Sequence, residues 1–339
     1  MKKISYLFLL INLSFIGYSQ TDKEITRLVT PFKIEQVNDT IDFIVVDSMI
    51  NIKKPIFLWC QGSLPVPLFC EIENYGYYFF GGGISNFDYR EIVKNYHLVV
   101  ISMPKTPLIV KKENLNTQYQ YIPNGEKPNE LSNDFIEANY LENYVNRANT
   151  VLSYLKKQDW VDTAKLIVAG HSQGAKVATK VAATNPTITH LGLFGANPFG
   201  RIDQMIRTAR LDAHLGKISW EEADSTMNSY YDIYRSAHTK DSIAQNPYLK
   251  SLHSFSELFY QHWLNLNIPI YLAYGTEDRI SDLCDLIPLF FIQNEKNNLK
   301  LKRYLKLEHN FFETNTDGQT DYEKPHWNEV MQDYLKTLE

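Results

Sequence analysis

Cysteine is scarce: Cys60, Cys70 and Cys284 are the only three in 339 residues. No CxxC, no HExxH and no Cys/His cluster with metal-ligand spacing occurs, so the sequence carries no zinc signature and no metal is expected. An odd count gives no disulfide framework. An oxidising compartment would permit one bond, with Cys60 and Cys70 the nearest pair in sequence; the alternative is that all three are small buried hydrophobes. Also lacking is any Lys/Arg-rich tract. The 39 acidic and 34 basic residues are interspersed, for a net charge of -5, which leaves no electrostatic footprint for a phosphate backbone and excludes nucleic acid as an expected partner. Gly81-Gly82-Gly83 fits neither G-x-x-x-x-G-K-[ST] nor G-x-G-x-x-G, so a phosphate cradle is not expected, and Tyr75 to Phe80 before it reads as a packed surface loop. No internal repeat and no low-complexity tract is found.

Long apolar runs are missing as well, apart from the N-terminus. There Lys2 and Lys3 precede an apolar stretch from Ile4 to Tyr18, with small Gly17 and Ser19 placed for cleavage before Gln20. This run falls short of the roughly 20 residues that span a bilayer. Residues 1–19 are therefore expected to be a secretory signal peptide, giving a secreted or periplasmic protein of residues 20–339 with no stable membrane insertion after cleavage.

What the chain does contain is an alternation of short apolar runs with segments of helical period, the pattern of a mostly parallel sheet covered by helices on both faces. The runs are Pro55 to Cys60, Leu98 to Ser102, Lys165 to Ala169, Leu191 to Phe194 and Ile270 to Tyr274. Phe32 to Val46 reads as two strands joined at Asn38-Asp39, forming an antiparallel edge. Leu299 to Leu307 alternates apolar with basic residues, as a last strand with one wet face would. Leu141, Tyr144, Val145, Ala148, Val151, Leu152 and Leu155 mark one face of an amphipathic helix, and a closing helix is predicted from about His326 to Leu338. Residues 103–135 read as a long surface loop. Residues 198–266 read as a helical insertion between two strands, whose aromatic residues are expected mainly to form its own core.

The sharpest local signal is Gly170-His171-Ser172-Gln173-Gly174, a G-x-S-x-G between a strand and a helix. A serine hydroxyl is a poor nucleophile unless it is exposed beside a base, and a tight strand-to-helix turn holds it there. The segment resembles the nucleophile elbow of the α/β-hydrolase superfamily, and the resemblance extends over most of the mature chain through strand order. It implies an α/β fold with an eight-stranded, mostly parallel sheet and a helical cap at about 198–266, inserted between strands six and seven. The family's chain order of nucleophile, acid, histidine implies Ser172 as nucleophile, Asp278 as acid and His309 as base. Asp278 ends Tyr274-Gly275-Thr276-Glu277-Asp278 after a strand, with Glu277, Asp282 and Asp285 as rivals. Of the nine histidines, His326 is the only rival to His309 in that order, and its place beside Pro325 at a helix start suits a surface or capping residue. His171 is expected to pack away from the reaction.

Two backbone amides would bind the oxyanion: that of Gln173, after the nucleophile, and that of Ser63, in a Gln61-Gly62 turn where the family has His-Gly. The resemblance thus implies a serine hydrolase acting through an acyl-enzyme on a small-molecule or peptide substrate with no cofactor. Carboxylester cleavage is preferred, with peptidase or thioesterase action as alternatives, since one triad serves all three. A catalytically silent binding member would be expected to have lost the nucleophile, acid or base, and none is missing.

Overall fold

A computed structural model describes residues 28–37, 39–46, 50–123, 130–315 and 318–339. The expected signal peptide and Asn38 lie outside these residues. Eight strands form the central sheet in the order β1 (Thr30–Glu35), β2 (Thr40–Val46), β6 (His97–Ile101), β3 (Lys54–Cys60), β8 (Val161–His171), β9 (His190–Phe194), β10 (Ile270–Gly275) and β11 (Leu299–Tyr304). Only β2 runs against the rest; every pairing from β6 to β11 is parallel. The central strands read as unbroken apolar runs because both faces are covered. Leu166, Ile167, Val168 and Ala169 of β8 are all 0% exposed, and they divide between two cores.

One core packs the sheet against α3 (Leu141–Leu155), α4 (Gln173–Thr184), α9 (Phe259–Asn265) and α10 (Ile287–Gln293). The predicted stripe on α3 faces it: Leu141, Val145, Ala148, Val151, Leu152 and Leu155 are buried, with Tyr144 partly so. The other core sits under α1 (Arg90–Asn95) and α11 (Trp327–Leu335), where Trp327 meets Phe311 and Trp59 edge to face and Phe87 at a tilt. A side chain on Gly192 of β9 would collide with the Tyr334 ring at 2.6 Å, so a glycine there lets α11 lie directly on the sheet.

Four helices follow β9: α5 (Arg201–His214), α6 (Trp220–Ser236), α7 (Lys240–Gln245) and α8 (Pro247–Ser254). Their starts are local. Ser219 and Glu222 close a capping box on α6, and the Asn246 side chain accepts from Tyr248 and Leu249 before Pro247 opens α8. Their shared apolar cluster is small, with Ile202, Ala237 and Leu252 as its buried members. Phe255, Phe259 and Trp263, expected to belong to the insertion's own core, pack instead in the main core, because α9 lies on α4 against the sheet. Trp263 Nε1 donates to Thr179 Oγ1 at 2.8 Å.

The regions read as surface loops hold more structure than their composition suggested. β4 (Phe69–Ile72), β5 (Gly76–Phe79) and β7 (Ile109–Lys111) make a three-stranded side sheet, and α2 (Asn133–Ala138) begins at the end of 103–135. Short strands hide easily in Pro- and Asn-rich sequence, since three or four residues show no period. A further hairpin joins β12 (Phe312–Thr314) to β13 (Thr320–Pro325). All three cysteines are free and buried, so the disulfide alternative is set aside in favour of apolar packing. Burial pushes the Cys60 thiol up to about 12 and, against the charge of Lys112, that of Cys70 to about 11. No helix among the described residues is long and apolar enough to cross a membrane.

Candidate active site

Ser172 sits between β8 and α4 with φ 57° and ψ -121°, a left-handed conformation costly for any residue with a side chain. Its N–H donates to Phe194 O at 2.9 Å and its carbonyl accepts from Ala175 N, which pins both sides of the turn. The flanking glycines permit the crossing that this requires. A Cβ on Gly170 would lie 2.3 Å from Gly174 O, and one on Gly174 would lie 2.0 Å from Cys60 O and 2.6 Å from Gln61 O. Strand, helix and the loop after β3 therefore meet at contact distances open only to glycine.

Asp278 follows β10 in a turn closed by Asp278 N to Gly275 O. It is 2% exposed. Its Oδ1 accepts from Ile280 N at 2.8 Å, and Oδ2 accepts from Ser281 Oγ at 2.7 Å and from His309 Nδ1 at 2.8 Å. Burial pushes this carboxyl upward, but the His309 charge and these hydrogen bonds together hold it below its ordinary value. Burial likewise disfavours a charged His309; Asp278 and, more weakly, Glu308 outweigh it and raise the imidazole above 6.5. With an ionised Asp278 accepting at Nδ1, the other nitrogen, Nε2, is left as the basic one.

The loop that carries His309 is built around Glu308, whose buried carboxylate accepts from Asn310 N at 2.8 Å and Phe312 N at 3.1 Å. His309 lies beside the elbow. His171 Nε2 reaches His309 O at 2.8 Å, the two rings are 4.8 Å apart, and a Cβ on Gly195 would stand 3.1 Å from each ring. His171, driven down to about 3 by burial and then by the His309 charge, is neutral and donates that bond. It thus packs away from the reaction and also fixes the backbone of His309. Among the described residues no hydrogen bond joins the Ser172 hydroxyl to the His309 ring; such bonds commonly tighten only when substrate is bound.

The rivals are engaged elsewhere. His326 binds Glu313 and Glu329, Asp282 pairs with Arg207, Asp285 takes Tyr274 Oη and Arg303, and Glu277 is exposed. The expected oxyanion donors lie on the two segments that meet at Gly174. Neither Gln173 N nor Ser63 N has a hydrogen-bond partner among the described residues. Gln61, at the position where the family has histidine, ties the loop down by donating Nε2 to Ile101 O at 2.6 Å.

Several residues around the site gave no sequence signal. Ser281 and Glu308 serve it through hydrogen bonds within the loops that carry Asp278 and His309. On α4, Gln173 Oε1 accepts from Arg201, whose guanidinium lies 4.6 Å from the Phe255 ring centre. Lys176 Nζ donates to Phe255 O at 2.9 Å and Phe199 O at 3.4 Å. Burial, helped by the Arg201 charge and opposed by Asp203, lowers its ammonium to about 7. These contacts latch both ends of the helical insertion to the helix that follows Ser172.

No protein-family model and no curated protein matches the chain. Solved structures do. The uncomplexed acylaminoacyl peptidase of Pyrococcus horikoshii is 12% identical over 91% of this chain and 41% of its own, with a TM-score of 0.53. A protein of Acinetobacter baumannii AYE described as a lipase is 13% identical over 93% of this chain and 92% of its own, with a TM-score of 0.51. The chain spans about two fifths of the length of the peptidases it matches. Likeness at such identity speaks for architecture, and with the eight-stranded, mostly parallel sheet described above it shows that this chain has the α/β-hydrolase fold.

Proposed function

We propose that the protein is a serine hydrolase that cleaves an ester, amide or thioester through an acyl-enzyme on Ser172, with carboxylesters the preferred class. The observation that carries this reading is the buried Asp278–His309 pair, bonded at 2.8 Å beside a serine held in a left-handed elbow. Ser172 Oγ attacks the carbonyl carbon while His309 Nε2 takes its proton, and Asp278 stabilises the imidazolium. The negative oxygen of the tetrahedral intermediate is received by the amides of Gln173 and Ser63, each such donor being worth roughly 3 to 4 kcal/mol of barrier. Collapse expels the leaving group, protonated by His309; water, activated by the same histidine, then releases the acid and restores Ser172. The helical insertion latched by Lys176 and Arg201 acts as a cap that selects the substrate. Residues 1–19 direct export, so the substrate is met outside the cytoplasm.

The test is labelling of the purified protein with a fluorophosphonate probe. Labelling is expected in the wild type and absent in Ser172→Ala and His309→Ala. A folded wild type that does not label would instead favour a silent binding protein of the same fold.

A further inference from the structure

The side sheet borders a cavity, partly open to solvent, that the catalytic reading leaves unused. It measures about 250 Å³ and is lined by Cys70, Ile72, Tyr78, Phe80, Leu115 and Tyr119, with Lys112 and Asn116 also on its wall. The rings are in contact with one another: Tyr78 lies 4.8 Å from Phe80, and Phe80 lies 5.3 Å from Tyr119. Its outer wall, residues 112–121, is preformed. Asn116 Oδ1 accepts from Gln118 N at 2.9 Å and Gln120 N at 3.0 Å, and Leu115 bridges Tyr121. An apolar cavity of about 150 Å³ suffices for a benzene ring.

Its position ties the cavity to the reaction. The insertions that build it leave the central sheet at the carboxyl ends of β3 and β6, the edge at which β8 presents Ser172. Both walls are anchored to the segment that carries Ser63. Tyr121 N donates to Pro65 O at 2.9 Å on one side. On the other, the turn after Phe80 is held by Trp59 Nε1 to Gly82 O at 3.0 Å, and Gly82 rests on the Gln61 side chain.

We propose that this cavity is the subsite for the apolar group of the substrate, and that it takes a single aromatic ring or a short branched chain. At about 250 Å³ it falls below the roughly 300–1,000 Å³ of pockets that take drug-sized ligands, so a long acyl chain does not fit. The proposal rests on the hydrolase reading above. It assigns substrate selection to the side sheet as well as to the cap.

The experiment measures kcat/KM for p-nitrophenyl acetate, butyrate, phenylacetate and octanoate, with fluorophosphonate labelling and thermal midpoint as controls. Leu115→Trp fills the cavity and Leu115→Ala enlarges it; Leu115 takes no part in the triad. In the filled variant the phenylacetate and butyrate values are expected to fall by about tenfold or more, with acetate within about twofold, the scale on which apolar pockets discriminate. The enlarged variant is expected to gain on octanoate relative to butyrate. Retained labelling with an unchanged ester profile, or all esters falling in parallel, overturns the subsite while leaving the hydrolase reading in place. Absent labelling of the folded wild type overturns both.

Discussion

Trp263 and Trp220 lie in the same stretch between β9 and β10, yet Trp263 is 1% exposed and bonded to Thr179, whereas Trp220 is 50% exposed beneath Arg210. The first stands on a helix pressed against α4 and the sheet; the second stands on a helix whose partners share a small apolar cluster centred on Ile202, Ala237 and Leu252. The difference is one of support. The helix that follows Ser172 packs closely on the sheet behind the strained elbow, while the helices above share a thinner packing. The two regions are joined by polar latches, the buried Lys176 and the half-buried Arg201 among them.

The largest effect that would sharpen this contrast is expected on the supported side. Asp278→Asn should lower kcat/KM by roughly 10^4-fold with the fold intact, because the histidine tautomer is lost. The pH profile carries the same information. His309 must be neutral to act as base, and its folded value lies above 6.5, so wild-type kcat/KM should rise through an apparent pKa above that value. In the variant the rising limb should move to lower pH; a limb that stays in place breaks the assignment of the pair.

Next comes Trp263→Ala, expected to cost about 3 to 5 kcal/mol in denaturant unfolding, as large-to-small changes in a packed core do. A cost below about 1 kcal/mol would show that α9 belongs with the cap after all, since surface-like positions behave so.

Smaller, and of opposite sign at low pH, is Lys176→Met. Folding lowers the Lys176 value from 10.5 to about 7, so between those limits the unfolded chain holds a proton that the folded one lacks, and wild-type stability rises with pH across that window. The variant should lack this rise: its thermal midpoint should stand above wild type near pH 6 and lose that advantage towards pH 9. Parallel curves would place the ammonium in water. The smallest effect is expected from Trp220→Ala, within about 0.5 kcal/mol of wild type, while a loss comparable to that of Trp263→Ala would erase the distinction between the two regions.

Much of this was legible from residue order. All the apolar runs became strands of the central sheet, and α3 spans the residues its stripe marked, because burial on one face leaves a period in the sequence. Asp278 and His309 were named from chain order, and the structure brings them into hydrogen-bond contact. The side sheet was not legible: Phe69–Ile72 and Gly76–Phe79 are too short to show alternation, and Phe69–Ile72, between the other two strands, also pairs with Ile109–Lys111 some 40 residues away. Nor was the division of the insertion. Phe255, Phe259 and Trp263 are as apolar as any cap residue, and only the packing of α9 on α4 shows which core they fill.

By itself, then, the sequence determined the strand succession, the elbow and the order of its chemical partners, since each is written in local period or in motif. The tertiary structure alone decided what surrounds them. Ser281 and Glu308 hold Asp278 and the His309 loop through bonds that no spacing announces. Lys176 becomes a buried latch only because two carbonyls from distant segments converge on it. The 250 Å³ cavity exists only where two insertions close against each other. The latch and the cavity depend on distance in space between residues far apart in the chain, and the local bonds of Ser281 and Glu308 depend on loop conformation; a periodic pattern carries no record of either.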